Sequence, residues 1–175
     1  MPFLPDYLRP GLAVVFVGYN PGDGSFALGQ HFAGRGNRFW KLLRDAGLTP
    51  RLYTPAECAA LPEIGIGLTN IVSRPSPSSA DLMWDELCAG APGLRRKMRL
   101  YRPRVVCLLG KDVYRAYAGK KRSAGVAWGV QTDPTVPGTI DFVAPNPSGR
   151  STLPYAQRLQ VYERLAETIG LLRPR

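Results

Sequence analysis

Residues that bind metals are scarce in this sequence. It has one histidine and three cysteines among 175 residues. Because Cys58, Cys88 and Cys107 are odd in number and widely spaced, they favour neither a disulfide framework nor a zinc site. An iron–sulfur cluster held by cysteine alone is disfavoured too, since it needs another thiolate. We therefore expect no metal, no cofactor and a reducing, cytoplasmic location.

Long apolar runs and acidic residues are also few. No run approaches the ~20 apolar residues of a membrane span. Asp6 and Arg9 precede the first apolar stretch, which is unlike a secretory signal peptide. The chain has 13 Asp and Glu against 23 Lys and Arg, a formal net charge of +10.

That positive charge favours a polyanionic partner, either nucleic acid or an anionic membrane. Solubility, or the residue habits of the source organism, would also account for it. The denser basic groups lie at 94–104 and 119–122. Pro103 breaks the first group, which therefore fits an amphipathic membrane-surface helix poorly. Nucleic acid is the favoured partner, and no membrane association is expected.

Short aliphatic runs alternate along the chain with amphipathic patterns. This alternation predicts an α/β fold, a parallel sheet with helices on both faces, and a single domain over residues 1–175. Strands are predicted at 12–18, 66–72, 102–110 and 139–145, and helices at 37–47, 54–65, 79–87, 92–101, 111–119 and 153–172.

Two loops that follow predicted strands share an Asn-Pro pair, "GYNPGDG" (18–24) and "PNPSGRS" (145–151). Ligands bind at the carboxyl ends of parallel strands, so these loops are candidates for a site. The first loop alone is compatible with a phosphate cradle, a tight turn or a reaction centre. Pro21 argues against the cradle because proline removes a backbone amide. The second loop adds an amide, a hydroxyl and a cation, which suit a nucleic-acid substrate.

Together with "HFAGRGNRFWKLL" (31–43), these loops resemble the uracil-DNA glycosylase superfamily. The likeness is to its mismatch-directed branch, which contains bacterial mismatch-specific uracil-DNA glycosylases and thymine-DNA glycosylases. It runs from about Pro10 to the final helix. It implies a three-layer α/β/α sandwich around a central parallel sheet, acting as a monomer.

The implied function is to flip uracil, thymine or a modified pyrimidine out of DNA and hydrolyse its N-glycosidic bond, which starts base excision repair. The expected partner is double-stranded DNA with a G:U or G:T mismatch. No lysine follows the pattern of a Schiff-base lyase, so the enzyme would be monofunctional. The alternative function is a module that binds mismatched or damaged DNA with little catalysis.

Four residues are candidates for the catalytic step. Asn20 matches the family asparagine that positions the attacking water, although its amide oxygen is a far weaker base than a carboxylate. Asp23 would assist that water or be a solvated turn residue. Asp81 and Asp85 are further candidate bases, because their segment also leaves the carboxyl edge of a predicted strand. The family often has an acid where this sequence has Ser73, so an acid supplied from a different position would be consistent with the resemblance.

The substrate-binding candidates surround the flipped base. Phe32 matches the aromatic that stacks on the base, the alternative being core packing. Gly22 replaces the bulk of a tyrosine that excludes a C5 methyl group in the uracil-specific branch, so the pocket should be roomier. Asn146 stands where that branch has a histidine that stabilises the pyrimidine anion. The other candidates are Gly18, Tyr19 and Ser25.

The DNA-binding candidates lie in the second loop. Arg150 falls where bacterial relatives carry an apolar wedge, and it would fill the gap left by the flipped base or contact a phosphate. Its companions are Ser148, Gly149 and Ser151. His31 lies in a different loop and is interpreted as incidental, while Phe39 and Trp40 follow a helical apolar pattern typical of a core.

Overall fold

A five-stranded sheet organises the computed structural model, which describes residues 4–172. The strands are β1 (Val14–Gly18), β2 (Ile66–Asn70), β3 (Val105–Leu109), β4 (Gly129–Val130) and β5 (Ile140–Ala144). Their order is β2-β1-β3-β5-β4. All neighbours pair in parallel except β4, which pairs antiparallel with β5 at the edge.

Helices cover both faces of this sheet. They are α1 (Asp23–Leu28), α2 (Phe39–Asp45), α3 (Trp84–Tyr101), α4 (Lys111–Tyr117) and α5 (Tyr155–Leu171), with 3₁₀ helices at Pro55–Ile64 and Ser79–Asp81. One layer contains α2, α5 and the longer 3₁₀ helix, and the other contains α3 and α4. The predicted three-layer α/β/α sandwich is confirmed. Within residues 4–172, no helix is long and apolar enough to cross a membrane.

The aliphatic strands are buried on both faces because their side chains alternate between two cores. In β1, Val14 and Phe16 belong to the core under α2 and α5, whereas Val15 and Val17 belong to the core under α3 and α4. The predicted core residue Phe39 joins the first of these cores. A continuous apolar run, rather than an alternating one, is what a doubly covered parallel strand requires.

The expected break between helices 79–87 and 92–101 is wrong. A short 3₁₀ helix is capped by Ser78, whose hydroxyl accepts a hydrogen bond from the amide of Ala80 (3.2 Å). The following helix α3 then continues through Pro92. Packing outweighs the hydrogen bond that proline removes. The buried residues of α3 are Leu87, Ala91, Leu94 and Met98.

Two short elements have no counterpart among the sequence predictions. Helix α1 begins at Asp23, for which a solvated turn was one of the two interpretations, and it ends at Leu28, followed by Gly29 with φ 64°. An acidic residue in the first turn and a left-handed glycine after the last are ordinary helix signals, here on a short helix. Strand β4 has two residues, too few to carry a periodic pattern.

The strand order places a topological switch between β1 and β3. The chain leaves β1 towards β2 on one side, and leaves β3 towards β5 on the other. Crevices form outside the carboxyl ends of strands at such a switch. Both Asn-Pro loops leave the sheet at this edge.

Gly90 tests how closely α3 packs on the segment after β2. A Cβ at Gly90 would lie 2.0 Å from the carbonyl oxygen of Ile71, whereas one at Gly93 on the same helix would lie 3.7 Å from a flexible Arg96 atom. Gly→Ala inside a helix normally stabilises by about 1 kcal/mol. We expect that gain for Gly93→Ala, and a loss of about 1–3 kcal/mol for Gly90→Ala.

Urea denaturation of the two variants, compared with the original chain, measures this difference. Equal stabilisation by both substitutions would contradict the close contact between α3 and Ile71.

Candidate active site

A cleft of about 1040 Å³ opens at the carboxyl edge of the sheet. Its walls come from the end of β1, the start of α1 and the loops at 31–38, 76–80 and 146–152. Twelve of the fourteen sequence-predicted site residues line it: Gly18, Tyr19, Asn20, Gly22, Asp23, Ser25, Phe32, Asn146, Ser148, Gly149, Arg150 and Ser151. Asp81 and Asp85 are not among the lining residues.

The side-chain amide of Asn20 is held in one orientation. Its Nδ2 donates to the carbonyl oxygen of Arg74 (2.7 Å) and to Oγ of Ser76 (2.8 Å). The Ser76 hydroxyl gives its own proton to the carbonyl of Ser78 (2.7 Å), so its oxygen is an acceptor. If the Asn20 amide were rotated by 180°, its Oδ1 would face the carbonyl oxygen of Arg74, and neither atom could donate a hydrogen bond.

This arrangement determines which Asn20 atom is available to a ligand. Both amide hydrogens are used, and no hydrogen bond within residues 4–172 involves Oδ1. Oδ1 is therefore an acceptor, and Asn20 is one of the residues that line the cleft. An acceptor in a fixed orientation can position a water molecule.

The segment that holds Asn20 is itself anchored at two points. The guanidinium of Arg74 makes a bidentate interaction with the carboxylate of Glu86 on α3. Its Nε donates to Oε1 (2.8 Å) and its Nη2 donates to Oε2 (3.1 Å). These hydrogen bonds lower the pKa of Glu86, as does the amide of Met83. The amide of Ser76 donates to the carbonyl of Pro21 (3.1 Å). Sequence reasoning missed Arg74 and Ser76, which lie in a proline- and serine-rich loop without periodicity.

Phe32 has a strained backbone and a fixed ring. Its φ of 52° lies in the left-handed region, which costs a non-glycine residue about 1–3 kcal/mol. Its ring stacks on Phe39 with 3.9 Å between centroids. The next amide, of Ala33, donates to Oγ of the buried Ser25 (3.0 Å). Phe32 also lines the cleft, where an aromatic ring can offer a stacking surface to a planar group.

Tyr19 contributes its side chain to packing. A Cβ at Gly110 would lie 2.6 Å from atoms of the Tyr19 ring, so the ring lies directly over that glycine. Burial, with a smaller effect from the charge of Asp112, raises the pKa of Tyr19 to about 12. The phenol is therefore neutral at physiological pH. At Gly18 a Cβ would lie 2.4 Å from Oδ1 of Asn70, a further cleft residue that the sequence interpretation missed.

The second loop is organised by its own polar side chains. Oδ1 of Asn146 accepts a hydrogen bond from the amide of Ser148 (2.9 Å), and Oγ of Ser148 accepts one from the amide of Arg150 (3.2 Å). Oγ of Ser151 accepts one from the amide of Leu153 (3.3 Å). The acceptor of Asn146 is thus used within the loop, and its Nδ2 is the group left to donate to a ligand.

The carboxylates predicted as catalytic candidates lie in different surroundings. Asp23 is exposed in the first turn of α1 and lines the cleft. Asp81 accepts a hydrogen bond from the amide of Ser78 (3.0 Å), and Asp85 is exposed in the first turn of α3. Among residues 4–172, no group of three or more His, Cys, Asp or Glu side chains could hold a metal ion.

His31 is buried, and burial lowers its pKa. Its Nε2 lies 2.7 Å from the carbonyl oxygen of Pro5, which can only accept, so Nε2 carries the proton. Its backbone amide donates to Sγ of Cys58 (3.2 Å). His31 is also one of the residues that line the cleft, and these contacts tie it to the segments at Pro5 and Cys58.

The two loops that flank the cleft touch at Gly36 and Gly149. A Cβ at Gly149 would lie 2.8 Å from the carbonyl oxygen of Gly36, and the amide of Arg38 donates to the carbonyl of Pro147 (2.9 Å). Gly149→Ala should push the loops apart. A weakening of about 1.4 kcal/mol would make the Arg38 amide exchange about tenfold faster.

Hydrogen exchange detected by NMR measures that rate. Gly34→Ala is the control, because a Cβ there meets nothing within 4 Å. Unchanged exchange at Arg38 in Gly149→Ala would contradict the contact between the loops.

The family model described as the uracil DNA glycosylase superfamily matches residues 5–169, which include every residue of the cleft described above except Leu4. The chain therefore belongs to the uracil DNA glycosylase superfamily, whose members are DNA glycosylases that hydrolyse N-glycosyl bonds.

Proposed function

We propose that the protein is a monofunctional DNA glycosylase that excises uracil, and also thymine or modified pyrimidines, from mismatches with guanine in double-stranded DNA. Membership of the superfamily supports the reaction class. The observation that carries the proposal is the fixed Asn20 amide, which leaves one acceptor in a cleft that also contains an aromatic stacking surface.

The base must leave the duplex before it can enter this cleft. Unstacking and unpairing cost a few kcal/mol, and the cost is lowest for a mismatched pair. Stacking on the ring of Phe32 recovers about 1–3 kcal/mol. The ring needs no rearrangement to receive a base, because Phe39 and the Ser25–Ala33 hydrogen bond already hold it in place.

Hydrolysis then separates two charges. The sugar becomes positive and the departing pyrimidine negative as the C1′–N1 bond lengthens. Oδ1 of Asn20 accepts a hydrogen bond from the water that attacks C1′, while Nδ2 of Asn146 donates to the base. Because an amide is a weak base, the rate depends mainly on positioning and on stabilising the leaving group.

Arg150 is proposed to occupy the gap that the flipped base leaves. It is exposed on the second loop, and no ion pair with it occurs among the residues that the structure describes. From within the gap, a guanidinium can donate a hydrogen bond to O6 of the unpaired guanine. This contact would favour guanine as the opposite base.

Duplexes with G:U, G:T and A:U pairs, and single-stranded uracil DNA, test the activity, with abasic sites revealed by alkali. We expect cleavage at G:U, and a loss of about 10²-fold in Asn20→Ala, which removes the positioned acceptor. Asp81→Asn is the matched control, because that carboxylate does not line the cleft.

Two results would contradict this proposal in different ways. Full activity in Asn20→Ala with loss in Asp23→Ala would transfer the main role to Asp23. Binding of mismatched duplexes without any cleavage would support a recognition module instead of an enzyme.

Gly22 tests the breadth of the pocket. A Cβ at this exposed residue meets nothing within 4 Å, so a side chain can leave the backbone there without a clash at its first atom. We expect Gly22→Tyr to retain uracil excision and to lose at least about tenfold on thymine, a change of 1.4 kcal/mol. Single-turnover rates on G:U and G:T duplexes measure this. Equal effects on the two bases would show that Gly22 does not set the preference.

A further inference from the structure

Arg158, on α5, is a buried cation at the wall of the cleft. It is 6% exposed and is one of the lining residues. Within residues 4–172, no carboxylate lies at ion-pair distance from it. A charge taken out of water without a counter-ion is unfavourable, so its presence beside a cleft requires an explanation.

The hydrogen bonds of Arg158 are with the loop that contains Asn146, and its guanidinium carbon lies 6.0 Å from the ring centroid of Tyr155. Its Nη1 donates to the carbonyl oxygens of Asn146 (3.5 Å) and Ser148 (3.2 Å), and its buried Nε has no hydrogen-bond partner in the described part of the chain. One turn later on α5, the hydroxyl of Tyr162 donates to the carbonyl of Pro145 (3.0 Å). Carbonyl dipoles orient the guanidinium but leave its net charge uncompensated.

An anion that forms in the cleft would supply the missing negative charge. Under the proposed function, that anion is the pyrimidine. When the C1′–N1 bond breaks, its electron pair stays on the base. The water oxygen bonds to C1′ and releases a proton to solvent, and the base later takes up a proton from solvent. Asn146 is neutral, so it offers hydrogen bonds to this anion but no charge.

We propose that Arg158 is the positioning residue that stabilises the departing pyrimidine anion, holding the Asn146 loop in place and supplying a positive charge behind it. The charge is fixed before the reaction and shielded from solvent, where it acts most strongly on charge that develops in the transition state. This inference rests on the proposed function.

The dependence of the rate on the leaving group separates this role from a structural one. A 5-fluorouracil anion is intrinsically more stable than a uracil anion, so its departure needs less help. We expect Arg158→Gln to slow excision of uracil from a G:U duplex by about 10²-fold. The same substitution should slow excision of 5-fluorouracil opposite guanine by a clearly smaller factor. Single-turnover rates measure the excision of each base.

Two further variants serve as controls. Tyr162→Phe removes the neighbouring hydrogen bond to the loop without removing charge, and it should slow the two bases equally. Arg158→Lys retains charge while changing the hydrogen bonds, and it should keep the ratio of the two rates at its original value. Because Lys retains the cation, this variant also tests the inference if Arg158→Gln does not fold.

Equal slowing of the two bases by Arg158→Gln, or an altered ratio in Arg158→Lys, would overturn the inference and leave the proposed function intact. If the original chain excised neither base, the proposed function itself would fail, and the inference with it.

Discussion

Burial of the sheet on both faces is the constraint on which the rest of the structure depends. β1, β3 and β5 present alternate side chains to two separate cores, so helices must cover the sheet on each side. With both faces closed, the loops at the carboxyl edge are the place where polar groups can meet a ligand. The strand order then separates the connections from β1 and β3, and the cleft opens between them.

The walls of that cleft are held by loop-to-loop contacts. The 74–76 segment holds Asn20, Ser25 holds the residue after Phe32, and Gly149 packs against Gly36. These contacts use both amide hydrogens of Asn20 and leave its Oδ1 in a fixed orientation. Groups fixed in advance need not reorganise during a reaction, which is where an enzyme gains most from electrostatics.

Much of the fold follows from the sequence, because continuous aliphatic runs and amphipathic periods are local signals. The errors occur where tertiary packing outweighs such a signal. The sequence patterns predict separate helices at 79–87 and 92–101, but the buried face of α3 keeps one helix continuous through Pro92. In the candidate site, Asn20 and Asn146 are recognisable from their sequence motifs. Ser76 and Arg158 become functional candidates only through contacts with residues distant in sequence.

The sequence by itself determined the class of fold, the two Asn-Pro loops and the resemblance to a family, since each depends on residues close together along the chain. The tertiary structure decided which polar atoms are free. It assigned the Asn20 amide through residues 54 and 56 positions away, and it placed Asp23, but not Asp81 or Asp85, at the cleft. Hydrogen-bond partners and burial depend on how distant segments pack, and no local pattern encodes them.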